Sequence, residues 1–279
     1  MPQVRIAYMP LVTYPEPVED ESILATTAFA SALKCMLHVT AFSVHIPQLN
    51  SPLGQFLIDV PGLVRASEER SKAECHRLQG LIEEASRPHL GVHCTSREIV
   101  LGGALNSAAA EARYFDLTLL PWSDEIVGSK DIAEAVVFGS GRPAILIPAI
   151  PSPASFDHLA IAWDASRVAA RALGDALPLL VDGGRISVLT VKDEKPLSGP
   201  NIAAALASSL EKRGFRAKSI DIALGDRAIG EVLQETALSE GAQILAMGGF
   251  GHSRIRDFIL GGATKGVLND LRLPVLFSH

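Results

Sequence analysis

The chain has 279 residues, enough for two domains of about 140 residues each. Its hydrophobic fraction of 48% and charged fraction of 20% are typical of a globular protein with a substantial core. Residues 1–150 hold 11 basic and 17 acidic residues, and residues 151–279 hold 14 of each, so neither half has the basic excess of a nucleic-acid-binding surface.

The sequence gives no sign of a membrane span, a secretory signal or a metal site. Its longest apolar runs are strand-sized, and the amino terminus lacks the pattern of a signal peptide. The odd, sparse set of three cysteines is typical of a reducing compartment, so we expect a cytoplasmic protein. Two adjacent pairs, Cys75–His76 and His93–Cys94, raise the possibility of zinc. Neighbours in a helix or strand point to different sides, so each pair offers at most one ligand and we expect no metal.

The two halves of the chain follow one plan. The first half begins with the strand-like run VRIAYMP and the second with LAIAWDA, and aligning Val4 with Leu159 makes Ile6 match Ile161. The segment 148–156, rich in proline and serine, reads as a linker between the two copies. We therefore predict domains at residues 1–150 and 151–279. The first also has a loop at residues 47–63 that is too apolar for a plain spacer, and packing against the body of the domain and packing against a partner both stay open.

Strand-like and helix-like runs alternate along the second half. Helical patterns with candidate N-caps at Ser166 and Asp226, and a C-cap at Gly214, lie between the predicted strands. Strands are predicted at residues 158–163, 186–191, 218–223, 243–248 and 274–277. The alternation predicts an α/β protein of two tandem flavodoxin- or Rossmann-like domains, each a five-stranded parallel sheet sandwiched by helices. We expect two separate sheets, with the fifth strand of each, an edge strand, as the place where the domains pair.

A glycine-rich stretch, MGGFGHSRIRDFILGGATKG, runs from Met247 to Gly266 and contains six glycines. It follows the fourth strand of its domain, so it reaches the crevice at the carboxyl ends of the strands together with Asp164, which ends the first strand. Its second glycine pair opens a helix whose free N–H groups form an anion site, and Lys265 or Arg254 adds positive charge. The sequence therefore predicts a phosphate cradle.

This cradle differs from the commoner phosphate-binding loops. A Walker A loop has lysine followed by serine or threonine, whereas here Thr264 precedes Lys265. The dinucleotide fingerprint follows the first strand of its unit, not the fourth. Two plainer interpretations stay open: the stretch is a flexible surface loop, and Asp164 is an N-cap-like residue before the next helix.

The spacing Gly-x2-Gly-x9-Gly resembles the ATP-binding motif of the universal stress protein family. The runs IAWDAS, GDRAIGEVL and LPVLFSH resemble that family's first strand, third helix and closing strand. The resemblance is strong over residues 157–279 and weaker over residues 3–148, which implies a tandem universal stress protein. It also implies ATP as ligand, with or without Mg²⁺. Because the tandem chain already provides two domains, we expect further assembly to be symmetric, most simply a C₂ homodimer.

The resemblance assigns roles at the predicted site. The aspartate matching Asp164 contacts the adenine, Val191 lies against the base, and glycines hold the ribose and phosphates. The family's usual hydroxyl residue after the third glycine is Gly262 here, whereas Thr264 matches a second hydroxyl position. Trp163 shares a strand face with core residues, and His252 either contacts phosphate or faces water. The predicted ligand-binding residues are Ala162, Trp163, Asp164, Val191, Met247, Gly248, Gly251, His252, Gly261, Gly262, Ala263 and Thr264.

The first half departs from this pattern. In the sequence alignment Met9 stands opposite Asp164, and Pro121 opposite Gly248. The following segment has no glycine pair and carries carboxylates, Asp124 among them, which repel phosphate. We therefore expect no nucleotide in the first half.

Three classes of function follow from the sequence. The leading hypothesis is an ATP-binding regulatory protein of the stress response, with one competent site per chain. A weak ATP hydrolase is an alternative, but residues 157–279 offer no clear second acidic motif to hold metal and position water. The third is a nucleotide-free dimeric scaffold in which Gly262 marks a decayed site. No nucleophilic serine motif stands out, so we expect no catalytic residue.

Overall fold

A computed structural model describes residues 4–47, 59–86, 90–192, 199, 201–249 and 262–279. Their strands are β1 (Ile6–Val12), β2 (Met36–His45), β3 (Val92–Val100), β4 (Leu117–Pro121), β5 (Ala144–Ile147), β6 (His158–Ala162), β7 (Arg185–Lys192), β8 (Arg216–Ala223), β9 (Ile244–Gly248) and β10 (Val275–Ser278). Their helices are α1 (Asp20–Ala32), α2 (Val60–Ser86), α3 (Ala104–Ala112), α4 (Val127–Gly139), α5 (Arg167–Ala176), α6 (Ile202–Lys212), α7 (Ile229–Ser239) and α8 (Gly262–Asn269). A short 3₁₀ turn, Leu177–Leu179, follows α5.

Each half contains a five-stranded parallel sheet, as predicted. The strand order is β3-β2-β1-β4-β5 in the first half and β8-β7-β6-β9-β10 in the second. Helices α1, α2, α5 and α6 pack on one face of the sheet, and α3, α4, α7 and α8 on the other. Strands such as β5, with the sequence AILI, are buried along their whole length because helices cover both faces.

The two sheets join through their fifth strands. Strands β5 and β10 pair antiparallel, with Leu276 opposite Ile145, which confirms the predicted place of pairing. The expectation of two separate sheets is wrong, because this pairing makes one ten-stranded sheet. The backbone N–H and C=O groups of the two edge strands satisfy each other, which removes two aggregation-prone edges.

The linker between the halves has neither helix nor strand from residue 148 to residue 157, as its composition predicts. It is nevertheless anchored. Phe156 is 2% exposed, and its ring centroid lies 4.6 Å from that of Phe29 on α1. The connection therefore packs on the first half.

Most predicted element ends in the second half lie within three residues of those observed. Ser166 is the N-cap of α5, and its Oγ accepts a bond from the Ala169 N–H at 3.2 Å. Gly214 follows α6 with φ +90°, the left-handed conformation expected at a helix end. The prediction of Asp226 as N-cap is wrong: α7 has Ala228 at that position, because residues 224–227 form a separate turn.

Candidate functional site

In the second half the chain runs from β6 outward through β7 to β8 and then returns to the other side of β6 to form β9. The strand pair is parallel, with Leu159 opposite Ile244, and β7 and β10 lie on its outer sides. At such a point the loops leave the carboxyl ends of the strands in opposite directions and open a crevice for ligands. Asp164 follows β6 and Gly248 ends β9, so both reach this crevice as predicted.

The turn after β6 is tightly organised around Asp164. Its Oδ1 accepts a bond from the Ser166 N–H at 2.9 Å, which fixes the orientation of the carboxylate. Between them Ala165 has φ +61°, a left-handed conformation that costs a non-glycine residue roughly 1–2 kcal/mol. Local strain of this kind is retained where the surrounding structure requires it, most often at functional sites.

Trp163 and Val191 lie on opposite faces of the sheet. Trp163 packs on the core with α1, α2, α5 and α6, whereas Val191 and Ala162 belong to the core on the other face. The Trp163 backbone is fixed by β7, since its N–H donates to the Leu189 carbonyl at 2.7 Å and its carbonyl accepts from Thr190 Oγ1 at 2.8 Å. The indole therefore packs in the core, as the sequence favours. Val191 and Ala162 lie on the opposite face of the sheet.

Gly248 is a glycine for a packing reason that the sequence did not reveal. A Cβ built at this position would lie 2.6 Å from Val168 Cγ2 and 2.7 Å from the Val168 carbonyl carbon. No side chain fits there, because the first turn of α5 passes directly over the end of β9. Met247, one residue earlier, is 3% exposed and points into the core on the opposite face.

The start of α8 lies at the same end of the sheet. Gly262 is exposed, and a Cβ built there would have Ile229 Cδ1 as its nearest neighbour at 3.9 Å. Thr264 is 6% exposed and lines a small cavity with α4 of the first half. This placement gives Thr264 a packing role, and the phosphate contact predicted for it stays a prediction. Ala263 is half-buried beside the same core.

Gly266, the last glycine of the stretch, lies where α8 crosses α7. A Cβ built on Gly230 of α7 would lie 2.6 Å from the Val267 nitrogen and 2.7 Å from the Gly266 carbonyl carbon. A Cβ built on Gly266 would lie 3.3 Å from the Gly230 Cα. The two glycines let the helix backbones touch, which sets the position of α8. The predicted ligand residues Gly251, His252 and Gly261 lie outside the described residues.

The first half offers an internal comparison, because equivalent residues follow from hydrogen bonding. The Trp122 N–H donates to the Ile147 carbonyl at 2.9 Å, and the Gly249 N–H donates to the Ser278 carbonyl at 2.8 Å. Each acceptor is the last residue of the fifth strand of its half. Trp122 and Gly249 therefore occupy equivalent positions after β4 and β9.

The strand register corrects the alignment made from sequence. Ala7 pairs with the residue five before Trp122, and Leu159 pairs with the residue five before Gly249. Ala7 is therefore equivalent to Leu159, and Asp164 matches Val12 rather than Met9. The sequence alignment of the first strands is shifted by three residues because short apolar strands resemble each other in several registers, whereas its match of Pro121 with Gly248 is confirmed. The first half still has no acidic residue at this position.

Aromatic side chains fill the equivalent crevice of the first half. Strand pairing makes Phe42 the counterpart of Val191, and Trp122 stands where the second half has Gly249. Both rings are buried, with exposed fractions of 1% and 4%. The Trp122 Nε1 donates to Asp124 Oδ1 at 2.5 Å, which holds the indole in place. One signal of this difference is visible in the sequence, where PWSD has an aromatic residue opposite the second glycine of GGFG.

A polar cluster in the first half was not predicted from sequence. His38 Nε2 lies 2.7 Å from His93 Nδ1 across β2 and β3, and Glu111 of α3 accepts bonds from Tyr8 and Thr40. Burial, then the neighbouring His93, lowers the pKa of His38. Burial, then Glu111, raises the pKa of Tyr8, so its hydroxyl stays protonated.

The cysteines and acidic residues form no recognisable reactive centre in the part of the chain that the structure describes. All three cysteines are free, and burial raises the pKa of Cys35 and of Cys94 to about 11. Across the described ranges, no three His, Cys, Asp or Glu side chains come together to hold a metal ion. Within the same ranges, no helix is both long and apolar enough to cross a membrane.

Comparisons with known proteins agree with this architecture. The sequence profile of the universal stress protein family matches residues 155–279. No curated protein is significantly similar in sequence to the chain.

Two solved structures are similar to nearly the whole chain. The first is a universal stress protein from Archaeoglobus fulgidus DSM 4304, with a TM-score of 0.68, 16% identity and 97% of each chain covered. The second is a putative universal stress protein from Pseudomonas aeruginosa UCBPP-PA14, with a TM-score of 0.54, 15% identity, and coverage of 99% of this chain and 93% of that one. At these identities the likeness shows the fold of both halves. Residues 155–279 belong to the universal stress protein family.

Proposed function

We propose that this stress-response protein binds ATP in residues 151–279 and acts as a nucleotide-dependent regulator, with residues 1–150 binding no nucleotide. The proposal combines the membership of residues 155–279 in the universal stress protein family with a difference between two copies of one fold. The ligand is bound at the carboxyl ends of β6 and β9.

The observation that carries the proposal is what stands at equivalent positions in the two crevices. The second half has Gly249 and Val191, whereas the first half has Trp122 and Phe42. The two aromatic rings are much larger than the side chains at the same positions of the second half. Among the described residues, this difference between two copies of one fold supports a single ligand site per chain.

The groups around the second crevice suit an adenine nucleotide. The first backbone N–H groups of α8, which starts at the exposed Gly262, have no acceptor inside the helix, and such groups favour phosphate. Asp164, oriented by the Ser166 N–H, is a carboxylate acceptor at the other side of the crevice, where an adenine amino group can donate. Val191 and Ala162 supply an apolar surface for the base.

The experiment is a titration of the full chain with ATP, in which binding is measured by calorimetry and by thermal shift, with and without Mg²⁺. We expect saturable binding at one nucleotide per chain, and Asp164→Ala weakens it. Asp182→Ala is the matched control, because it removes an exposed carboxylate just before β7, at the opposite end of the strands, and binding should be unchanged. Two nucleotides per chain, or no binding, would contradict the proposal.

The same samples separate regulation from hydrolysis. A regulator that holds ATP releases phosphate no faster than ATP in buffer, whereas a hydrolase releases it in proportion to protein concentration. ADP and GTP are titrated in parallel, because an adenine site discriminates against guanine through the base and not through the phosphates.

A further inference from the structure

Helix α4 of the first half reaches across the β5–β10 junction to the crevice of the second half. A Cβ built on Gly249, which directly follows β9, would lie 3.3 Å from Val137 Cγ1 and 3.8 Å from Phe138 Cε1. Both side chains belong to α4. The backbone that leaves β9 is therefore bounded by a wall from the other half of the chain.

The same helix contacts the other flank of the predicted phosphate-binding region. Ala133 and Val137 of α4 line one small cavity with Thr264 and Leu268 of α8. Phe138 also faces the carboxyl terminus, where its ring centroid lies 5.4 Å from that of His279 at an interplanar angle of 85°. Helix α4 thus packs against Gly249 and against α8. These are the two described parts of the chain that border the predicted phosphate end of the site.

We propose that Val137 and Phe138 are positioning residues for the nucleotide site, so that the half without nucleotide sets the ATP affinity of the other half. This inference rests on the proposed function. These two side chains bound Gly249, and α4 packs on α8, so the first half helps to position the two described parts of the predicted phosphate end of the site. Because coupling free energies are reciprocal, occupation of the site by ATP also stabilises α4 in its packed position.

The first test removes one of the two α4 side chains that contact the position of Gly249. Phe138→Ala should weaken ATP binding by about fivefold or more, a typical size for coupling between sites. Phe115→Ala is the matched control, because Phe115 is also a partly buried phenylalanine of the first half, stacked on Tyr8 at 4.8 Å. Both variants lose stability in urea, but only Phe138→Ala should change the affinity measured by calorimetry.

The second test uses rescue across the two halves. Gly249→Ala places a methyl group against Val137 Cγ1 and should weaken ATP binding, whereas Val137→Ala removes the opposing atom. In the double variant the affinity should recover to within about twofold of that of Val137→Ala alone, as expected for residues in direct contact. If the two side chains do not interact, the losses of ATP affinity from the two single substitutions should add in the double variant.

Hydrogen exchange on the unmodified chain gives the reciprocal result. Saturating ATP should slow amide exchange in residues 127–139 of α4 and leave residues 20–32 of α1 unchanged. Three results would overturn this inference alone. They are equal ATP affinities of Phe138→Ala and Phe115→Ala, additive losses of affinity in the Gly249→Ala and Val137→Ala double variant, and unchanged hydrogen exchange in α4 when ATP binds. Absence of ATP binding to the unmodified chain would overturn the proposed function and this inference together.

Discussion

Substitution of Gly230 by alanine tests how the position of α8 is set. The new Cβ would lie 2.6 Å from the Val267 nitrogen, 2.7 Å from the Gly266 carbonyl carbon and 2.9 Å from the Ala263 carbonyl oxygen. Ordinary contacts between heavy atoms lie near 3.5–4.0 Å, so α8 must move by roughly 1 Å. All three opposing atoms belong to backbone, which cannot rotate away as a flexible side chain would.

The expected cost follows from this overlap. Overpacking of a core costs about 1–3 kcal/mol, and the better helix propensity of alanine returns up to about 1 kcal/mol, so Gly230→Ala should lower the free energy of unfolding by about 1–2 kcal/mol. Because α8 carries the predicted phosphate contacts, ATP affinity should fall as well. Urea denaturation measures the first effect and calorimetry the second.

Gly174→Ala provides the matched control. Gly174 lies inside α5, is exposed, and a Cβ built there meets no atom within 4 Å. The same chemical change should therefore stabilise the protein by about 0.5–1 kcal/mol and leave ATP affinity unchanged. If both variants change stability in the same direction, close helix crossing does not explain the glycines of α7 and α8.

The remaining predictions concern capping, affinity, pH and assembly. Ser166→Ala removes the acceptor for the Ala169 N–H and should lower the free energy of unfolding in urea by about 1 kcal/mol. Gly262→Ser restores the hydroxyl usual in the family, and the structure leaves room for its Cβ, so calorimetry should show up to roughly tenfold tighter ATP binding. Since the pKa of His38 lies below its ordinary value in the folded chain, the unfolded chain binds more protons as the pH falls through about 6.5. Unfolding free energy should therefore drop between about pH 7.5 and 5.5, and less so in His38→Gln. We also propose a symmetric homodimer, which must use surfaces other than the paired β5 and β10; a monomeric mass in light scattering, with and without ATP, would contradict it.

The fold was predictable from sequence because strand and helix periods, the linker and the N-cap at Ser166 are local signals. The pairing of the fifth strands followed from their position at the edges of both sheets. The continuity of the sheet did not follow, because it depends on backbone pairing between β5 and β10. The register between the halves did not follow either, because short apolar strands such as those around Met9 and Ile161 align in more than one way. Register becomes fixed only by hydrogen bonds between strands.

The candidate site was predictable in outline and not in detail. Asp164 and Gly248 reach the same crevice because they follow neighbouring strands that run parallel. The reasons for individual glycines were not visible, because Gly248 is required by Val168, a residue eighty positions away in sequence. The burial of Thr264 against α4 depends likewise on a contact between halves.

Photolabelling with 8-azido-ATP tests the central claim most directly, because peptide mapping identifies the half of the chain that carries the adenine. We expect covalent label only on peptides from residues 155–279, with unlabelled ATP preventing it at concentrations that saturate binding. Label on residues 4–147, or label that ATP does not displace, would contradict a single nucleotide site in the C-terminal half.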